Sequence, residues 1–333
     1  MNDEQITKLC RILDLGMPAT RPRIISSGPP HRVWRLDVER GSLAVKELHR
    51  ELLAQPGARH EYRQAESIAA QLAAEGVPTV VALTVEGDPL VDLDGATVLV
   101  YPWVAGVPLP LGALDAEQAG QLGEALGRIH AVNIQVPGLD RPGLRTFPPE
   151  HWLTLTRRAL GLQLEWAGPA RQAMDALLFL GDRYEAATGA LARELLVSHR
   201  RLTPDNVLWI DRAWPWVIDW DAAGFINPAM EMVEVTLRWA GIELGAPQES
   251  LVRAMLDGYQ LSGPTLETSG WAALAGCAGA WLSWLELGML RSLNSELPAN
   301  ERALALTDVA VTLGVIEVLA ARFEEWTVWF EPE

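Results

Sequence analysis

The pattern of apolar and polar positions near the N-terminus gives three short β-type runs. These are RIISSGP, RVWRLDV and SLAVKEL, and they predict β-strands. Glu39-Arg40-Gly41 supplies a turn between the last two. In ARHEYRQAESIAAQLAAEG the pattern changes: Tyr62, Ala65, Ala69 and Leu72 recur at helical spacing, and Gly76 closes the segment. TVVALTV, PLVDL and ATVLVYPW return to strand character, with turn signals at Gly87-Asp88 and Asp94-Gly95. From Asp115, a residue type that caps helices, to about Asn133 the pattern is helical, and most of the remaining chain follows it. The exception is LLVSHRRLTPDNVLWIDRAWPWVIDWD, where the strand-like runs NVLWI and PWVID flank a turn. Pro and Gly between Val104 and Gly112 mark a hinge. The expected organisation is α+β, with a β-rich segment over 1–103 and a mainly helical one over 104–333.

Composition narrows the class. A chain of 333 residues, 49% hydrophobic, can bury a large core and has room for about two domains. The formal charge of −16 excludes a nucleic acid backbone as partner and favours a cationic or amine-bearing small molecule. Cys10 and Cys277 make no disulfide framework and no metal-ligand spacing. The start, MNDEQITKLCRILDLG, is charged and amphipathic rather than a signal peptide. Thr268–Leu285 has membrane length without charge, yet its Ser, Thr and Gly content and the neighbouring Glu286 read as a buried helix. A cytoplasmic protein with no membrane partner is expected.

Two groups of residues suggest chemistry. Lys46 ends the strand-like LAVK and Glu66 lies on the following helix, an arrangement that can hold an ammonium against the phosphates of a nucleotide. Further on, Asn206 precedes one short strand and Asp219 follows its partner. Two paired strands would bring an amide oxygen and a carboxylate together as a hard-oxygen site for Mg²⁺. The plainer reading, with Asn206 capping a turn and Asp219 opening a loop, leaves the spacing unexplained.

With these residues in place, SHRRLTPDNVLW…VIDWDAAGFINPAMEM resembles the catalytic segment of the aminoglycoside phosphotransferase and choline kinase-like superfamily, relatives of the protein kinases. AVKEL resembles its phosphate-lysine strand, RQAESIAAQLAAEGVPT the helix carrying the glutamate partner, VLVYPWVAGVPL the interlobe hinge, and LGEALGRIHAVN the helix before the catalytic core. GFINPAMEM is similar to the segment after the metal aspartate, with Asn227 where Asp is usual. The resemblance implies a bilobal protein-kinase-like fold, with a small β-rich N-lobe, a larger helical C-lobe, and a small-molecule hydroxyl as acceptor. It implies ATP or GTP with Mg²⁺, held by Lys46, Glu66, Tyr101 and Trp103 for the nucleotide and by Asn206 and Asp219 for the metal.

One position departs from that pattern. The family's His-x-Asp-x-x-x-x-Asn becomes His199-Arg200-Arg201 followed, after four residues, by Asn206. Arg201 thus stands at the catalytic aspartate's position, and arginine stays protonated with no acceptor lone pair. Three explanations stay open: a nucleotide-binding pseudokinase with a regulatory or sensing role, a phosphotransferase with its base relocated to Asp205 or Asp221, or a variant residue in an otherwise complete enzyme. The sequence favours a phosphotransferase scaffold whose transfer is impaired or altered.

Other residues carry plainer expectations. His199 reads as a structural residue that braces the metal loop, the resemblance places Glu231 where the family keeps an acid supporting the catalytic loop, and His130 packs in the core or a helix interface. The turn Ser26–Pro30 has no glycine-rich phosphate motif. Trp281 and Trp284 with nearby Glu286 could hold an ammonium by cation–π attraction, although core packing is the commoner use of such residues.

Overall fold

A computed structural model describes residues 1–26, 31–141, 143, 145–211 and 214–331. Of the turn Ser26–Pro30, the part from Ser27 onward lies outside the described residues. The chain forms two compact units, here with elements numbered along the sequence. The first comprises Met1–Pro108, Ile134–Leu139 and Asp205–Gly224, and the second Leu109–Asn133, Asp140–Pro204 and Phe225–Glu333. The units are therefore interleaved rather than consecutive stretches of sequence.

In the first unit β1 (Arg23–Ser26), β2 (Arg32–Val38), β3 (Gly41–Glu47), β4 (Val91–Leu93) and β5 (Ala96–Pro102) form an antiparallel sheet in the order β1-β2-β3-β5-β4. Alternation decides what each face buries. Leu36, Val38, Leu43, Val45, Val98 and Val100 point to one face, where Ile6, Leu9 and Cys10 of α1 (Asp3–Ile12) cover them. Leu99 and Leu48 point to the other face, with Leu53 of α2 (Arg50–Leu53) and Tyr62 of α3 (Ala58–Ala74). Lys46 lies one residue from Val45, so it too is sent to this second face.

TVVALTV is a correction to the expected strands. It runs extended but forms no strand of its own, because its backbone bonds are divided between two neighbours. Val80 N–H donates to Val217 O and Leu83 N–H to Val100 O. Val217 belongs to β8 (Pro215–Val217), which pairs antiparallel with β7 (Val207–Trp209). That hairpin is tied to the first unit by Pro78–Val80 on one side and by reciprocal backbone bonds between Val107 and Trp209 on the other.

The second unit holds α4 (Ala116–Val132), α5 (Pro149–Gly161), α6 (Ala167–Gln172), α7 (Met174–Leu191), β6 (Leu196–Ser198), β9 (Gly224–Ile226), α8 (Pro228–Trp239), α9 (Glu249–Ser262), α10 (Gly270–Leu293) and α11 (Ala299–Phe330). Asp115 caps α4 as expected, in a capping box with Gln118, and Asn133 ends it in the left-handed region. α4 packs on α9, and α10 on α7, α8 and α11. Two helices, α10 and α11, are long and apolar enough to cross a membrane by length and composition, and the apolar window of α10 is 72% buried inside the unit. Asn227 caps α8 through its side-chain oxygen while its amide donates to Leu191 O, Glu194 O and Thr268 Oγ1. A carboxylate could cap the helix but not make those donations.

Candidate functional site

The first unit brings together a cationic and two anionic side chains. Lys46, 7% exposed, donates to Asp219 Oδ1 at 2.5 Å and to Asp221 Oδ2 at 2.6 Å. Burial alone would lower the ammonium's pKa, but the two carboxylates outweigh it and hold the group above its ordinary value. Asp219 owes its place to backbone geometry. The register of β7 with β8 sets Asn206 opposite Ile218, whose N–H donates to Asn206 O. The next residue, Asp219, turns into the left-handed region at φ 63° and opens a short 3₁₀ turn from Trp220 to Ala222. Trp220 anchors that turn by donating to Thr79 Oγ1 at 2.5 Å.

His31 completes the cluster and was not legible in the sequence. Its Nδ1 accepts from His49 N–H at 3.1 Å, which puts the proton of the neutral ring on Nε2. That nitrogen lies 3.3 Å from Asp221 Oδ2 and 3.1 Å from the Tyr62 hydroxyl. Burial opposes ionisation of Asp221, yet the bond from His31 and the charge of Lys46 prevail and hold its carboxyl down at about 2. The other oxygen, Asp221 Oδ1, is buried and accepts no hydrogen bond.

Glu66 is not the partner of Lys46 that its spacing suggested. It accepts from the Tyr101 hydroxyl at 2.6 Å, whereas Lys46 is taken up by the two aspartates. Burial pushes the Glu66 carboxyl up to about 7, against the pull of Tyr101 and Lys46. Tyr101, expected at the nucleotide, thus spends its hydroxyl on Glu66. Trp103 continues the ladder by donating its N–H to Ser42 O, and its ring lies 4.7 Å beneath the Arg35 guanidinium.

Arg201 belongs to the second unit, in a segment pinned from beneath. Glu231 of α8 accepts the N–H of Arg200 at 2.6 Å and is bonded by His130 Nε2 at 2.9 Å. His130 Nδ1 then accepts from the Tyr259 hydroxyl at 2.8 Å. Burial raises the Glu231 carboxyl's pKa, but His130 and the Arg200 N–H more than offset it, and the value is lowered. These bonds hold Arg200 at a left-handed φ of 64°, a conformation costing on the order of 1 kcal/mol in a non-glycine residue. His199 Nδ1 accepts from Arg201 N–H, and Trp239 Nε1 donates to Leu202 O. Glu231 supports this segment as expected, and His130, expected in core or helix packing, is buried between Glu231 and Tyr259. The Arg201 side chain is exposed and its guanidinium lies 5.6 Å over the Trp284 ring.

The donors of the first unit suit a small hard cation. Asp219 is 34% exposed at its side chain, Asp221 has a buried oxygen without a partner, and Asn206 adds an amide at the base of the same hairpin. Among the described residues, no three or more His, Cys, Asp or Glu side chains form a metal-holding group.

A profile of the phosphotransferase enzyme family matches residues 22–277. No curated protein matches the chain. A spectinomycin phosphotransferase in complex with ADP and spectinomycin superposes with a TM-score of 0.71 at 17% identity, over 96% of this chain and 98% of its own. A microcompartment-associated aminopropanol kinase does so with 0.64 at 17% identity, over 97% and 98%. A choline kinase from Cryptosporidium parvum gives 0.60 at 11% identity, over 98% and 100%. These likenesses establish the fold: an α+β chain with a five-stranded antiparallel sheet and a mostly helical remainder, shared with protein-kinase-like phosphotransferases.

Proposed function

Because the chain belongs to the phosphotransferase enzyme family, we propose that it binds ATP or GTP with Mg²⁺ on its first unit and transfers the terminal phosphoryl group to the hydroxyl of a small molecule held by its second. The observation that carries this reading is the contact of Lys46 with both Asp219 and Asp221. Lys46 contributes a fixed ammonium for phosphate oxygens, and Asp219, Asp221 and Asn206 would hold the metal. The metal, when bound, neutralises charge on the phosphates. His31 keeps Asp221 ionised and oriented, and Glu66 with Tyr101 forms the floor beside Lys46.

Arg201 takes no proton from an acceptor hydroxyl. General-base assistance is worth about 10²–10⁴ in rate, so transfer runs below that of an enzyme with a carboxylate there. Positioning and charge neutralisation carry most of phosphoryl transfer, so the reaction itself is not forbidden. Arg201 also favours a second reading, a nucleotide-binding regulator without transfer.

Calorimetric titration with Mg·ATP and Mg·GTP, followed by ³¹P detection of product over a panel of hydroxyl compounds, tests both. Binding that needs Mg²⁺ and fails in Asp219→Asn, together with product, supports the phosphotransferase. Binding with no product on any acceptor leaves the regulator. Absence of nucleotide binding at millimolar concentration sinks both.

A further inference from the structure

The long apolar helices α10 and α11 pack together in the second unit, and their outer faces differ. On α10 the tryptophan rings are served by the protein itself. The Arg238 guanidinium lies 4.4 Å from the Trp281 centroid and that of Arg201 lies 5.6 Å from Trp284. Glu286 is ion-paired with Arg145 at 2.6 Å and His151 at 2.8 Å. The ammonium site that these residues suggested is thus filled internally. α11 has less cover: the apolar window of α10 is 72% buried, that of α11 only 39%. Over 303–321 its outer face carries Leu304, Thr307, Ala310, Val311, Gly314 and Ala321, and the only charges in that stretch are Asp308 and Glu317. A helix with one side on a core ordinarily turns charged and polar residues outward. Arg291 of α10 reaches Glu301 of α11 at 3.3 Å, so the side of α10 that bears Arg291 adjoins this face. Leu287, one turn before Arg291 and 44% exposed, extends the apolar surface onto α10.

The shape and charges of this face fit a second copy of itself. A symmetric contact sets one patch against the same patch about a two-fold axis. With the axis at Gly314 and the helices antiparallel, Ala310 falls opposite Val318 and Ala321 opposite Thr307. In each pair the smaller residue leaves room for the larger. At Gly314 itself a Cβ would meet nothing within 4 Å in one chain, so that spot is open to a partner's backbone. Asp308 and Arg322 are fourteen residues apart, close to four turns, and so share one flank. Antiparallel packing brings Asp308 of one copy toward Arg322 of the other, a complementary pair repeated by the symmetry. Within its own chain Arg322 pairs with Glu325 at the surface, where such pairs are worth little. Glu317 lies on the other flank. Its two copies stand about 9 Å apart along the helices, near the Debye length, and salt screens them.

We infer that α11, widened by Leu287 of α10, joins two copies of this chain in a weak antiparallel dimer centred on Gly314. At 1.5 Å per residue the face is about 28 Å long, and two helices 8–10 Å apart make it about 18 Å wide, roughly 500 Å² on each copy. The total of roughly 1,000 Å² stands at the low end of specific interfaces, where contacts are transient. A lipid surface is a poorer match. The stretch 303–321 holds no Lys or Arg, and the net charge of −16 repels anionic headgroups. The dimer needs only the second unit and is independent of the phosphotransferase reading.

Sedimentation velocity of the full chain between about 1 and 300 µM tests the contact. The mean mass should rise from that of one chain toward that of two, with half-association at about 10 µM or above. Gly314→Phe should weaken association by at least about tenfold, because the ring occupies the space a partner's helix would take. Circular dichroism and the thermal melt should stay unchanged in that variant, since nothing within one chain stands near the added Cβ. Asp308→Arg should also weaken association, and Asp308→Arg/Arg322→Asp should recover most of the loss. That rescue reads the antiparallel register, which a merely structural effect of either substitution would not reproduce. A chain monomeric at about 300 µM, a dimer indifferent to Gly314→Phe, or a charge exchange that restores nothing would each overturn the contact. Flotation of the unaltered chain with phosphatidylcholine vesicles, lost in Val311→Asp, would assign the face to a membrane instead and overturn it equally.

Discussion

Lys46 concentrates the first unit's electrostatics, and removing it has a definite cost. Lys46→Ala should weaken Mg·nucleotide binding by about 1.5–3 kcal/mol, the range of a charge-assisted hydrogen bond, and calorimetry reads it directly. Glu66 gives a pH test. Its folded pKa is raised from 4.5 to about 7, so between those values the folded chain keeps a proton that the unfolded chain has released. Stability from this group is full below the ordinary value and is lost as pH rises through about 7. Asp221 runs the other way: lowered from 3.8 to about 2, it stabilises above its ordinary value and loses that contribution as pH falls toward 2. Glu66→Gln should flatten the decline in urea-melt stability between about pH 5 and 8 and leave the acid limb unchanged. A decline of unaltered slope would mean Glu66 is not the group responsible.

At the scale of elements, helix contacts in the second unit depend on missing side chains. A Cβ on Gly123 of α4 would lie 2.0 Å from Met255 O, and one on Gly258 of α9 would lie 2.0 Å from Gly120 O. The two backbones touch because neither Gly123 nor Gly258 carries a side chain at these crossings. Gly123→Ala or Gly258→Ala should cost about 1–3 kcal/mol through overpacking. Gly189→Ala on α7, where nothing stands within 4 Å, should instead stabilise by about 0.5–1 kcal/mol. Thermal melts of the three variants decide this, and equal effects at all three sites would refute the packing account. Periodicity announced α3 and α4 well, because each buries one regular face. β5, by contrast, buries Val98 and Val100 on one face and Leu99 on the other and was legible from residue type. Residue type misjudged TVVALTV because that run has strand composition, while its hydrogen bonds are shared between Val100 of β5 and Val217 of β8. No local pattern reports where a backbone finds its partner.

Over the whole molecule the chain returns to its first unit at Asp205–Gly224, which puts Asp219 and Asp221 beside Lys46 across a long loop of sequence. A ligand that binds only the folded state at 100 times its dissociation constant stabilises by about 2.7 kcal/mol. Mg·nucleotide at that excess should therefore raise the melting temperature of the protein, and the rise should shrink in Lys46→Ala at the same concentration. No shift in the unsubstituted protein, with binding confirmed by titration, would place the ligand on unfolded chain as well. Read by itself, the sequence determined the strand and helix periods, the capping of α4, the Asn206–Asp219 hairpin and the absence of a carboxylate at Arg201. Each of these is local, set by spacing and residue type within a few turns of chain. Only the tertiary structure decided that Lys46 holds two aspartates rather than Glu66, that His31 orders Asp221, and that arginines occupy the faces of Trp281 and Trp284. Those pairings join residues far apart in sequence. Burial, charge and reach select among many possible partners there, and a one-dimensional pattern carries no record of that competition.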